Sequence, residues 1–193
     1  QDVQTYGMRA SLLAKQKDDP GLLALYTELS RKATKPDPAQ RLLLGKIAEY
    51  LKRYPEAVNW YHSVPGGDEL NEARLRAANA QGLAGRQSLA LDEVHAIQSD
   101  ASVDDDVRRD AYLLEAELRQ RADDLPGEID ALARGLAAYP DENGLLYARA
   151  LAWERRDDIA RAEADLRKIL VTEPENVPAL NALGYTLADR TGR

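Results

Sequence analysis

The 193-residue chain has no cysteine, no phenylalanine, one methionine and two histidines. Without thiols there is no disulfide framework, no thiolate nucleophile and no cysteine-based zinc site, and the chain suits a reducing or an oxidising compartment equally. The two histidines, His62 and His95, fall on different expected helices with no third ligand at metal-binding spacing, so they read as helix-surface or inter-repeat residues. No apolar run of about 18 residues occurs, so this segment does not insert directly into a membrane, and no signal-peptide core is present. Basic charge is also short. The formal net charge is −7, which argues against nucleic acid as a partner, because phosphate binding needs a basic face. Lysine occurs seven times among the 26 basic residues, leaving 19 arginines; with abundant alanine this points to a GC-rich bacterial genome.

Chemistry-bearing motifs fail one by one. Gly45-Lys46 lacks the first glycine of a phosphate loop and the following Ser or Thr. Asp104-Asp105-Asp106 lacks the turn glycine and bidentate glutamate of a calcium loop, and suits the acidic first turn of a helix. No serine sits in a nucleophile elbow, and pairs such as Glu115 and Glu117 read as solvated helix charges. The chain is expected to be no enzyme, with no cofactor and no metal.

What is present is a repeat. Pro140 and Pro174 lie 34 residues apart, and Tyr112, Leu146 and Leu180, or Ala116, Ala150 and Gly184, keep the same step. A fixed period in the low thirties marks stacked helical hairpins, none of which can bury its apolar stripe alone. Segments such as 109–120 and 143–155 are rich in strong helix formers with apolar residues at three- and four-residue steps. Breaks fall at Asp18-Asp19-Pro20, Lys35 to Pro38, Pro65-Gly66-Gly67, Gly85-Arg86, Asp123 to Pro126, Tyr139-Pro140 and Glu173-Pro174. No alternating strand pattern appears. Gly45, Ala77, Ala116, Ala150 and Gly184 are expected where the first helix of each pair approaches its partner.

Leu183-Gly184 with Leu187, and Ala162, Leu166, Ile169 and Pro174, resemble the tetratricopeptide repeat (TPR) pattern: Leu-Gly in helix A, then Ala, a large residue and a closing Pro in helix B. The resemblance implies an all-α, right-handed superhelical solenoid of antiparallel helix pairs. Its register gives one array over residues 1–193, with repeats at about 4–37, 38–69, 70–108, 109–142 and 143–176 and a partial one at 177–193. Leu44-Gly45, Ala57 and Tyr61 fit well; Leu89 and Glu128 stand where helix B should carry its small Ala, and the first repeat is placed by Asp18-Asp19 in phase with Asp123-Asp124 and Asp157-Asp158. Thr191-Gly192-Arg193 reads as the turn into a further helix, so the chain is expected to be a fragment of a longer protein, Gln1 not being a natural start.

In TPR proteins the helix A places that line the concave side correspond here to Leu42, Lys46, Glu49 and Tyr50; Asn71, Arg74, Ala78 and Gln81; Leu113, Glu117, Gln120 and Arg121; Tyr147, Leu151, Glu154 and Arg155; and Asn181, Tyr185 and Asp189. From these the resemblance implies a partner-binding surface of Lys46, Tyr50, Asn71, Arg74, Gln81, Arg121, Tyr147, Arg155, Asn181 and Tyr185 that takes a protein or peptide. The chaperone-type carboxylate clamp is absent, its places reading Leu42, Lys46, Leu75, Asp110 and Leu114. The implied function is a non-enzymatic interaction scaffold or adaptor. The alternatives are self-assembly, as a dimer through the open C-terminal end, or the recognition arm of an enzyme whose catalytic domain lies elsewhere. Leu180 to Tyr185 looks like TPR proteins of the Gram-negative envelope, some of them lipoproteins that serve carboxy-terminal processing proteases; periplasm or envelope is therefore favoured over cytoplasm.

Overall fold

The computed structural model describes residues 2–191, and among these it contains eleven α-helices and no strand. They are α1 (Val3–Lys15), α2 (Asp19–Lys32), α3 (Pro38–Tyr50), α4 (Tyr54–His62), α5 (Leu70–Leu83), α6 (Gln87–Gln98), α7 (Asp105–Arg121), α8 (Leu125–Ala138), α9 (Asn143–Arg155), α10 (Ile159–Thr172) and α11 (Val177–Thr191). Gly192 and Arg193, from the expected last turn, lie outside the described residues. The chain forms two compact units, Gln1–Ile97 and Gln98–Arg193. In the first, α1 packs on α2, α3 on α4 and α4 on α5; in the second, each of α7 to α11 packs on its successor. Odd-numbered helices also meet one another, as α1 with α3 and α7 with α9.

One turn is used five times. Lys17, Lys52, Gly85, Asp123 and Asp157 all have left-handed φ, between 55° and 79°, and each ends the first helix of a pair. Each donates its N–H to the carbonyl three residues back, and the next residue donates to the carbonyl five back, as Arg53 N to Ala48 O at 2.8 Å and Asp158 N to Trp153 O at 2.8 Å. This Schellman geometry satisfies carbonyls that the helix end would orphan. The following residue then caps the second helix: Asp18, Asp124 and Asp158 accept from the N–H of Gly21, Gly127 and Arg161 respectively, at 2.9 to 3.2 Å.

Counting from these turns corrects the register. The turn places Lys17-Asp18, not Asp18-Asp19, in phase with Asp123-Asp124. In the third pair it places Ala78 and Ala90, rather than Ala77 and Leu89, opposite Gly45 and Ala57, because Lys52 and Gly85 are 33 residues apart. Ala78 and Ala90 are fully buried while Leu89 is exposed. Helix α7 begins at Asp105, four residues before the expected repeat start, because Asp105 and Asp106 supply the acidic first turn that the helix dipole favours. Pro20, Pro38, Pro55 and Pro126 lie inside first turns, where a missing N–H costs no bond.

Of the five small residues expected at the helix seams, Gly45, Ala116 and Ala150 are buried, Ala77 gives way to Ala78, and Gly184 stands apart. A Cβ on Gly45 would overlap the Tyr61 ring, so only glycine admits that aromatic residue. A Cβ on Gly184 meets nothing within 4 Å, so the expected close approach is not made there among the described residues. Leu, Ile and Ala form the two cores, with Tyr6, Tyr26 and Tyr61 added in the first unit.

Three carboxylates are buried in the second unit, and this overturns the reading of Glu115 as solvated; Glu117 is exposed, but Glu115 is fully buried. Glu115 accepts from Gln98 Nε2 at 2.9 Å, Arg119 Nη2 at 3.1 Å and Arg134 Nη2 at 2.6 Å. Glu128, in the phase of the helix B alanine, pairs with Arg155 of α9. Asp165 takes both prongs of Arg149. A buried charge left unpaired costs several kcal/mol, so each acid fixes its arginine donor.

Candidate functional site

Three of the exposed large apolar side chains gather in one place. Met8, Leu12 and Tyr50 are 68%, 56% and 48% exposed and all border one open groove of about 880 Å³ between α1 and α3. The α1 wall is the stripe Gln4, Gly7, Met8, Ser11, Leu12 and Lys15, and the α3 wall is Leu43, Lys46, Ile47 and Tyr50. Both follow the three-and-four spacing of a single helix face. Their phases match: Gly7, Ser11 and Lys15 stand 35 residues before Leu42, Lys46 and Tyr50, the same step that separates Lys17 from Lys52. Tyr50 crosses the groove end and donates its hydroxyl to the Ala14 carbonyl at 3.2 Å. Lys46 pairs with Glu72 of α5 at 3.0 Å. Burial alone would raise the Glu72 carboxyl; hydrogen bonds from Arg76 and Lys46 outweigh it and hold it below the usual range.

Of the ten expected surface residues, Lys46 and Tyr50 therefore share one groove. The three on α5 do not join them. Gln81 is buried at 5% exposure. Arg74 lines a separate crevice of about 250 Å³ with Tyr61, His62, Glu93 and Ile97, and Asn71 is half-buried at the start of the helix. The reason is the one-residue register error: a single step turns a helix by about 100°, enough to carry a side chain from groove to core. In the correct phase Glu72, Leu75 and Gly82 replace them, and Asn79 and Leu83 stand in the places of Lys46 and Tyr50.

In the second unit Asp123 and Asp157 follow the expected repeat starts by 14 residues, as Lys52 does in the first. Tyr147 is half-buried, its ring packed beside the core. Arg155 has its guanidinium committed to Glu128, which limits what it offers a partner. Arg121 is exposed at the end of α7. Asn181 and Tyr185 are exposed on α11, Tyr185 at 77%.

The titratable groups near these surfaces are largely engaged with one another. Among the described residues no three His, Asp or Glu side chains gather as a metal site. His62 pairs with Glu93 across α4 and α6, and the phenol of Tyr61, pushed up by burial and by its hydrogen bond to Glu49, stays protonated. No described helix is long and apolar enough to cross a membrane.

Comparison with known proteins supplies the kinship. No family model matches the chain. It is 39% identical over 153 residues to a TPR repeat-containing protein of Pseudomonas aeruginosa, a stretch that covers 78% of this chain and 25% of the relative. It is 27% identical over 185 residues to bacteriophage adsorption protein A of Escherichia coli, covering 88% of this chain and 17% of that protein. The chain thus spans a quarter or less of the curated relatives it matches. Among solved structures, the C-terminal part of a TPR repeat-containing protein from Cytophaga hutchinsonii superposes with a TM-score of 0.64 at 14% identity, over 96% of this chain and 72% of the other. YrrB, described as a TPR protein with an unusual peptide-binding site, gives 0.51 at 16% over 94% and 91%. At such identities these likenesses show the fold.

Proposed function

We propose, from the premise that this chain belongs to the tetratricopeptide-repeat family, that it is a non-enzymatic scaffold whose odd-numbered helices present a protein- or peptide-binding face. One observation carries the reading: in the first unit Met8, Leu12 and Tyr50 leave water-exposed apolar surface on one groove, where stability alone would bury it. Rigid aromatic side chains such as Tyr50 are what binding hot spots favour, and methionine is enriched at interfaces. In the second unit Tyr147, Asn181 and Tyr185 are the corresponding candidates. The peptide-binding site named for YrrB supports the reading by analogy of fold.

Affinity capture by the full-length protein tests this with two double variants, Leu12→Ala/Tyr50→Ala and Tyr147→Ala/Tyr185→Ala. At least one should lose partners while both keep wild-type helicity and melting temperature. If both capture everything that the wild type does, the binding face lies elsewhere.

A second reading, self-association through α11, is favoured by the exposure of Val177, Leu180 and Tyr185 along that helix. Solution mass across a concentration series distinguishes it. The envelope placement is part of the proposal too, and fractionation of the native cells tests it.

A further inference from the structure

The α1–α3 groove has a charge that the rest of the chain lacks. Residues 1–53 carry ten Lys and Arg against six Asp and Glu, while residues 54–193 carry 16 against 27. Six of the seven lysines fall in the first stretch. Among the residues that line the groove are two lysines, Lys15 and Lys46, and no carboxylate, although Lys46 also reaches Glu72 of α5 at 3.0 Å, a pair that an incoming carboxylate would share. An apolar trough rimmed by cations, on a protein of net charge −7, is an inversion that the global charge does not require.

The polar inventory narrows the occupant further. Beyond the two lysines, the lining offers only Gln4, Ser11 and the Tyr50 hydroxyl, and the last already donates to Ala14. An extended peptide laid here would bury main-chain N–H and C=O groups with few partners to receive them, at a cost of about 1–3 kcal/mol for each one left unmade. A helix satisfies its own backbone and asks only for a matching side-chain stripe. Gly7 and Ser11 keep the α1 wall low: a Cβ on Gly7 meets nothing within 4 Å, so an incoming side chain can settle between Met8 and Ile47. Lys15 and Lys46 then stand where they would meet carboxylates flanking such a stripe.

Resting on the binding-face reading above, we infer that the α1–α3 groove receives an amphipathic helix of a protein partner, with leucine-like residues on its buried stripe and acidic residues beside it. Rim charges chiefly set partner choice and association rate, while the apolar stripe sets residence time. Swapping the rim should therefore swap the preference.

The probe is a synthetic peptide of about 18 residues, five helical turns, with Leu at i, i+3, i+4 and i+7 and Glu on both flanks, compared with a twin carrying Lys for every Glu. Fluorescence anisotropy on the 193-residue chain should show the Glu peptide binding about tenfold or more tightly than its twin. Lys15→Glu/Lys46→Glu should invert that order, and Leu12→Asp, away from the Glu72 pair, should abolish binding of both. Amide shifts should map to α1 and α3. A charge-blind footprint on α9 and α11 would overturn this inference yet leave the binding-face reading standing. Failure of both peptides to bind would also overturn it, and the capture variants above would then judge the broader reading alone. If vesicles of phosphatidylcholine and phosphatidylglycerol sediment the wild type but not the lysine variant, and the peptides do not bind, the rim serves an anionic lipid surface and the inference fails.

Discussion

Removing the guanidinium of Arg149 should cost far more than removing an exposed arginine of the same chain. Asp165 is 6% exposed on α10, and Arg149 of α9 grips it with two bonds, Nε to Oδ2 at 2.9 Å and Nη2 to Oδ1 at 2.8 Å. The pairing raises the Arg149 pKa, so the guanidinium keeps its charge at any ordinary pH. Arg149→Met keeps the apolar stem but strands a buried carboxylate, a change that costs about 3–5 kcal/mol. The Arg149 side chain is 25% exposed, so water can reach the vacated space and the low end, about 3 kcal/mol, is expected. For a chain of this size that lowers the melting temperature by roughly 6–12 °C. Arg149→Met/Asp165→Leu removes charge and counter-charge together and should recover most of the loss, finishing within about 1 kcal/mol of wild type. Arg167→Met breaks the more exposed pair with Glu163 and should cost under about 1 kcal/mol. Urea unfolding followed by circular dichroism at constant m-value measures all three. A double variant no more stable than Arg149→Met would refute the idea that the stranded charge is the source of the loss.

Gly45→Ala should destabilise by roughly 1–3 kcal/mol because its Cβ overlaps the Tyr61 ring, while Gly184→Ala, facing open space in a helix, should stabilise by up to about 1 kcal/mol; equal melting temperatures would contradict the packing assigned to both. Tyr26, buried, donating to Glu56 at 2.7 Å and accepting from Trp60 at 2.8 Å, has its phenol pushed up from 10.0 to about 12. The folded chain holds that proton more tightly than the unfolded one, so this stability is complete below about pH 10 and fades towards pH 12. The urea midpoint should drop across that window, and Tyr26→Phe should flatten the drop; an unchanged slope would remove Tyr26 as its source.

The helices were legible because hairpin stacking leaves a periodic signature, and α9 runs over the very residues that the periodicity predicts, 143 to 155. What was illegible turns on single residues. Lys17, Lys52, Asp123 and Asp157 adopt left-handed φ without being glycine, so the recurring geometry of the turn is invisible in residue type, and only Pro and Asp mark the phase. In α5 those marks lead one residue out of phase, since four buried alanines, Ala73, Ala77, Ala78 and Ala80, do not distinguish the inward face. The α1 wall was missed for a related reason: the first repeat lacks Leu-Gly, and its groove residues emerge only by counting back 35 from Leu42, Lys46 and Tyr50. The buried acids were hidden because a core glutamate and a solvated one look alike until the arginine from a neighbouring helix is in place.

The account stands most directly on which face of the repeats meets a partner. Photo-crosslinking side chains placed singly at Leu12, at Tyr50 and at Val171, the last 79% exposed on α10, would report it in the full-length protein within its own cells. Crosslinked adducts from positions 12 and 50, with none from 171, are the predicted result. Adducts from 171 alone would contradict it and move function to the even-numbered helices.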